Sequence, residues 1–271
     1  MERSIQKTVP VSQDSTVTVD IYGDADAPGL VMVPGVMSDA HGWRHVARSI
    51  HAWPSVAVLN RRGRAPSGPL PSGYTLHTEV SDVLAVLDAL PGTEALFGWS
   101  YGGLIALLAA GGRPVPQVIA YEPVIAPFAH DALPQLAQAA ADRDRDRSVE
   151  IVNTLISGFP AEHVEALRSN PQDWQTLRRL SEPLHAELTA LNELPPPDTL
   201  AEHARRVDLI IGETSIGTAP YGTSSEDVRR RIRQGHAQPA RVEKLPGQGH
   251  LAHVDAPAAL GGLIDALAAL P

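Results

Sequence analysis

Ser100 stands in Gly98-Trp99-Ser100-Tyr101-Gly102, a G-x-S-x-G pattern whose residue types suit attack on an acyl carbonyl. A serine at a sharp strand-to-helix turn is lifted clear of its own backbone. Glycines two positions to either side leave room for such a turn. The flanking residues agree with it. Ala95-Leu96-Phe97 reads as a buried strand, and Leu104-Ile105-Ala106-Leu107-Leu108 reads as a helix buried on most sides. That helix would aim its N-terminus at the reacting group, where developing negative charge is favoured.

A serine hydroxyl needs a base. His250, in Pro246-Gly247-Gln248-Gly249-His250, falls between the last strand signal and the last helix. Imidazole titrates near neutrality and suits proton transfer. The other histidines offer less. His51 and His253 read as surface or helix residues. His41 and His45 have the spacing of helical metal ligands, but no Glu follows His41 and no third ligand presents itself, so no metal is expected. A carboxylate should orient the imidazole. Two are placed to do so: Glu122, after the strand ending at Tyr121, and Glu213, after the strand ending at Ile211. Both stand at the carboxyl ends of strands, where open α/β sheets bind ligands.

The elements that must hold these residues alternate along the chain. Strand-like runs cover 17–22, 30–33, 55–60, 95–98, 117–121, 207–211 and 240–244. Leu76, Val80, Val83, Leu84, Leu87 and Leu90 share one helical face, as do Leu260, Leu263, Ile264, Leu267 and Leu270. This rhythm predicts an α/β fold, a mostly parallel sheet with helices on both faces. Residues 127–203 break it with helical patterns and no good strand, and contain Pro195-Pro196-Pro197. They are expected to form a helical cap over the carboxyl ends of the strands, inserted into a core made of 1–126 and 204–271. The Asp-Arg repeat from Asp142 to Arg147 reads as a solvated stretch within it.

Composition narrows the function. The 271 residues carry a net charge of −9, which argues against a nucleic-acid partner. The basic run Arg229, Arg230, Arg231 and Arg233 reads as a solvated helix face. No cysteine is present, so disulfides, thiolate metal sites and a Cys nucleophile are excluded. No apolar stretch is long enough to span a membrane, and none follows the N-terminal charges as a secretory signal would. The expected compartment is the cytoplasm. No Gly-Lys pair marks a phosphate loop, and no G-x-G-x-x-G follows a strand, so no nucleotide cofactor is expected.

Pro34-Gly35, Asn60-Arg61-Arg62-Gly63-Arg64, Gly98-Trp99-Ser100-Tyr101-Gly102-Gly103, Tyr121-Glu122-Pro123 and Gly247-Gln248-Gly249-His250 stand in the order that α/β-hydrolase-fold enzymes use. On these motifs the chain resembles that superfamily from about Val17 onward, the cap being the weakest part. The resemblance implies an oxyanion hole from the N–H groups of Val36 and Tyr101. Many relatives have His-Gly where this chain has Pro34-Gly35. The superfamily acid is usually an Asp about three residues beyond a Gly after the cap; here that place holds Ser215. A subset, including zearalenone lactonases, is similar in carrying a Glu where Glu122 stands. The resemblance therefore favours Ser100, His250 and Glu122 as a triad, with Glu213 as the alternative acid. Dehalogenases and epoxide hydrolases share the layout but use an Asp nucleophile, and Ser100 argues against both.

These readings imply a serine hydrolase acting through an acyl-enzyme on a small to medium, fairly apolar ester or lactone, without a cofactor. Trp99, Phe128 and Trp174 are candidates to line the substrate pocket, as are Trp43 and Tyr101, with core or cap packing as the other role open to each. Thioester or carbon–carbon cleavage, a cofactor-free lyase or cyclase, and a non-catalytic binder of hydrophobic ligands are the alternatives.

Overall fold

Strand β3 (Gly29–Val33) shows how the residues build the layers. Its side chains alternate: Val31 and Val33 join one buried cluster, Leu30 and Met32 another. All five residues are buried, as a central strand covered on both faces must be. The computed structural model describes residues 4–27, 29–235 and 239–269. Leu270 and the side chain of Arg233, both assigned above to helical faces, lie outside the described residues.

The other strands are β1 (Ile5–Val11), β2 (Ser15–Gly23), β4 (Ser55–Asn60), β5 (Ala95–Trp99), β6 (Val115–Tyr121), β7 (Ala204–Gly212) and β8 (Arg241–Leu245). They form one eight-stranded sheet in the order β1-β2-β4-β3-β5-β6-β7-β8. β2 runs antiparallel to both of its neighbours, β1 and β4, and the pairs from β4 to β8 are parallel. The helices are α1 (Arg44–Ser49), α2 (Leu76–Ala89), α3 (Tyr101–Gly112), α4 (Leu133–Ala141), α5 (Arg145–Ile151), α6 (Ala161–Arg168), α7 (Pro171–Leu180), α8 (Leu184–Glu193), α9 (Tyr221–Gly235), α10 (Ala252–Asp255) and α11 (Pro257–Ala268). α2, α3 and α9 bury their apolar residues in the cluster with Val31 and Val33. α1 and α11 bury theirs in the cluster with Leu30 and Met32. The sheet is thus covered on both faces, as its alternating rhythm predicts.

β1 is the strand that the sequence pattern does not announce. Along it only Val9 is buried. It pairs with β2 through a turn in which Gln13 and Asp14 both have positive φ. Pro10 sits on this edge strand, where a missing donor does little harm.

Between β6 and β7, residues 127–203 hold α4 to α8 and, among the described residues, no strand. Several contacts tie this insertion to loops that leave the carboxyl ends of strands. Arg179 bonds Asp39 after β3, Glu187 bonds Arg61 and Arg64 after β4, and Ser157 bonds Tyr221 after β7. Among the described residues no helix is long and apolar enough to cross a membrane.

Candidate active site

Register brings the site together. Gly98 lies opposite both Val33 and Ala120, Trp99 opposite Tyr121, and Tyr121 opposite Ile210. The residues after these pairs, Ser100, Glu122 and those near Gly212, therefore leave the sheet side by side. Ser100 has φ 56° and ψ −122° at the start of α3. This sparsely populated conformation costs a non-glycine residue about 1–3 kcal/mol and persists only when its surroundings impose it. They do: the Ser100 N–H donates to Tyr121 O at 3.0 Å, and Ser100 O accepts from Gly103 at 2.9 Å. The flanking glycines are sterically required. A Cβ on Gly98 would lie 2.3 Å from Gly102 O, and one on Gly102 would lie 2.1 Å from Val33 O.

Glu122 is fully buried, with φ 41°. Its N–H donates to Ile210 O at 3.0 Å. Its Oε1 accepts from the Gly212 N–H at 2.8 Å, and its Oε2 lies 2.7 Å from His250 Nδ1. A carboxylate only accepts, so Nδ1 carries the proton and Nε2 keeps its lone pair. Glu213 is exposed and instead accepts from the Gly247 N–H at 2.8 Å. It bonds to the loop that carries the histidine, and Glu122 bonds to the histidine itself.

Burial pulls the His250 imidazole below its ordinary range, and the Glu122 bond opposes this only in part. The ring is hence neutral near pH 7, as a base requires. Tyr221 lies flat on it, with ring centroids 3.4 Å apart and planes 9° from parallel. The Tyr221 hydroxyl meets Ser157, an insertion residue, at 2.8 Å. Burial pushes that phenol up to about 12, so it stays protonated. The Trp99 Nε1 donates to His250 O at 2.9 Å, and the Tyr121 hydroxyl donates to Gly249 O.

The loop after β3 lies directly against Ser100. A Cβ on Gly35 would come within 3.0 Å of Ser100 Cβ and 2.9 Å of Trp99 Cε3. Among the described residues, neither the Val36 N–H nor the Tyr101 N–H donates to a protein acceptor. No hydrogen bond joins Ser100 Oγ to His250 either. In unliganded enzymes such bonds commonly tighten only when substrate binds.

The aromatic candidates divide. Trp99 and Trp43 lie behind the site, 5.7 Å apart, with Trp43 fully buried. Tyr101 is buried, its hydroxyl 3.1 Å from that of Tyr74. Phe128 lies 5.9 Å from Tyr221 and so borders the site. Trp174 packs with Val149 and Val164 inside the insertion, its Nε1 on Asp146 at 2.7 Å and Met37 at its edge. His51 is exposed as expected. His253 is on a helix but is not a surface residue. α10 tucks it under Trp43, on which it stacks at 4.7 Å. Burial pushes it down to about 3. His41 and His45 are exposed, and among the described residues no cluster of three or more His, Cys, Asp or Glu could hold a metal.

Sequence reasoning missed Tyr221 and the buried acid Glu187, which pairs with both Arg61 and Arg64. The three arginines of Asn60-Arg61-Arg62-Gly63-Arg64 were a signal. So many cations at a strand end need buried partners, and Glu79, Asp82 and Glu187 supply them.

Comparison with known proteins agrees with this fold. The sequence pattern of the alpha/beta hydrolase family matches residues 30–261. An uncharacterized hydrolase of Bacillus subtilis, YraK, is 28% identical over 134 residues, which cover 47% of this chain and 49% of that protein. The chain thus spans about half the length of the curated relative it matches. An alpha/beta hydrolase from Sphaerobacter thermophilus superposes with a TM-score of 0.77 at 22% identity, covering 96% of this chain and 99% of that one. An esterase from a Rhodococcus species has a TM-score of 0.73 at 16% identity, covering 97% and 98%. The enol-lactonase from Burkholderia xenovorans has a TM-score of 0.74 at 19% identity, covering 96% and 99%. The chain belongs to the alpha/beta hydrolase family.

Proposed function

We propose that this hydrolase cleaves a small to medium, fairly apolar carboxylic ester or lactone through a triad of Ser100, His250 and Glu122. The observation that carries the reading is the 2.7 Å bond between His250 Nδ1 and a fully buried Glu122, next to a serine held at positive φ. His250 Nε2 takes the Ser100 proton as Oγ attacks the carbonyl carbon. The N–H groups of Val36 and Tyr101 hold the oxyanion, each worth about 3 kcal/mol in the transition state. His250 then protonates the leaving alkoxide. Water repeats the sequence on the acyl-enzyme, releasing the acid and restoring Ser100. Glu122 steadies the imidazolium in both steps. In a lactone the alcohol stays tethered to the acyl group.

Residues 127–203 act as the cap, and the Phe128 and Tyr221 rings give the pocket an apolar wall. The fold-level likeness to an esterase and an enol-lactonase supports this substrate class. A panel of p-nitrophenyl esters and macrocyclic lactones tests it. Hydrolysis of a member of the panel, abolished in Ser100→Ala, is the expected result. Turnover that survives Ser100→Ala would instead favour a lyase or cyclase, and thioester cleavage alone would shift the bond class.

A further inference from the structure

Arg61 is fully buried at the carboxyl end of β4. Its Nε donates to Pro34 O at 2.8 Å and its Nη2 to Gly35 O at 2.8 Å. Gly35 O and the Val36 N–H belong to one peptide plane. In a trans peptide the carbonyl and the N–H point in opposite directions. A donor fixed on Gly35 O therefore fixes where the Val36 N–H points. The same cation draws electron density from that peptide and strengthens its N–H as a donor. The guanidinium also lies 5.1 Å from the ring centre of Tyr101, the other candidate oxyanion residue.

Two carboxylates hold Arg61 in place. Its Nη1 meets Glu79 Oε1 at 2.7 Å and Glu187 Oε1 at 2.8 Å. Glu187 also grips Arg64 with both oxygens, at 2.7 and 2.9 Å, and Arg64 Nε donates to Ser38 O at 2.6 Å. Glu187 comes from α8, in the insertion. One insertion side chain thus anchors two arginines that hold three carbonyls of the loop beside Ser100.

We propose that Arg61 is a positioning residue that aims the Val36 N–H into the oxyanion site, and that Glu187 makes this aim depend on the cap being seated. This rests on the proposed role of Val36 in the hydrolase reaction. The test uses Arg61→Lys and Glu187→Gln in the full chain, with folding checked by circular dichroism. A lysine keeps the charge but cannot span both carbonyls and both carboxylates.

Three readouts separate positioning from mere structural support. With a p-nitrophenyl ester, kcat of Arg61→Lys falls on the order of 10- to 100-fold, short of or reaching the loss of a whole donor, while KM stays close to wild type. The inhibition constant of butylboronic acid, which forms a tetrahedral adduct on Ser100, rises in proportion to the loss in kcat/KM. Independently of activity, the ¹⁵N resonance of Val36 moves upfield, because the Gly35 carbonyl of its peptide has lost the fixed donor that Arg61 Nη2 supplies. Glu187→Gln moves all three the same way by less, and it is read alone if Arg61→Lys fails to fold. A folded variant with unchanged kcat, unchanged boronate inhibition or an unmoved Val36 resonance overturns the proposal. A wild-type protein that is inactive and unlabelled at Ser100 sinks the hydrolase reading instead, and the Val36 resonance then still decides whether Arg61 orients that peptide.

Discussion

Glu122 holds His250 Nδ1 at 2.7 Å with one oxygen and takes the Gly212 N–H at 2.8 Å with the other. Both oxygens are occupied, so the carboxylate cannot rotate away from the imidazole. The neighbouring acid, Glu213, has its own task 2.8 Å from the Gly247 N–H. The two residues divide the work of placing the histidine: one orients its ring and the other braces its loop.

Glu122→Gln is therefore predicted to lower kcat by about 10²- to 10⁴-fold, because an amide can present its N–H₂ to Nδ1 and impose the wrong tautomer. Glu213→Gln leaves kcat within about threefold, since its amide oxygen still accepts from Gly247. Steady-state kinetics on one ester checks both. The opposite ranking would transfer the acid role to Glu213.

The proposed mechanism needs His250 neutral, and burial holds its pKa below the ordinary value. The acid limb of kcat/KM is predicted below about pH 6.5, and activity is lost only as pH falls through that lower value. A limb above about 6.5 would mean that the Glu122 bond outweighs burial.

Tyr221 is part of that burial, since its ring covers one face of the imidazole. Tyr221→Ala admits water to that face, and the acid limb is predicted to climb toward about 6.5. Tyr221→Phe loses only the Ser157 bond and keeps the stack, so its limb stays with the wild type. A pH–rate profile of each variant checks the pair.

His253 gives a second pH effect, on stability. The folded state holds it neutral down to about pH 3. The unfolded chain protonates it near pH 6.5. Above about 6.5 its contribution is fully present, and below that stability falls by up to about 1.4 kcal/mol per pH unit until the folded pKa is reached. His253→Phe, which can still stack on Trp43, is predicted to lose less stability between pH 7 and pH 5 than the wild type. Urea midpoints at the two pH values measure this.

Much of this arrangement was legible in the sequence because it is local. Ser100 is announced by glycines that no larger residue could replace, and β3 to β7 by short buried apolar runs. β1 was not, because an edge strand with one buried residue has almost no apolar period. The contact of Glu122 with His250 joins residues 128 apart in the chain, and pattern reading could only propose it by resemblance. Tyr221, which opens a polar helix, gave no local sign that its ring would lie on His250. Glu187 carries no local mark in the sequence, and only the fold turns it inward onto Arg61 and Arg64.

The proposed mechanism turns on Ser100 as the nucleophile. Incubation with a fluorophosphonate, followed by intact-mass and peptide mass spectrometry, probes that role. A single adduct on the Ser100 peptide is expected, absent from Ser100→Ala and slowed in Glu122→Gln. A folded wild-type protein that stays unlabelled, or that carries the adduct on another residue, would contradict it.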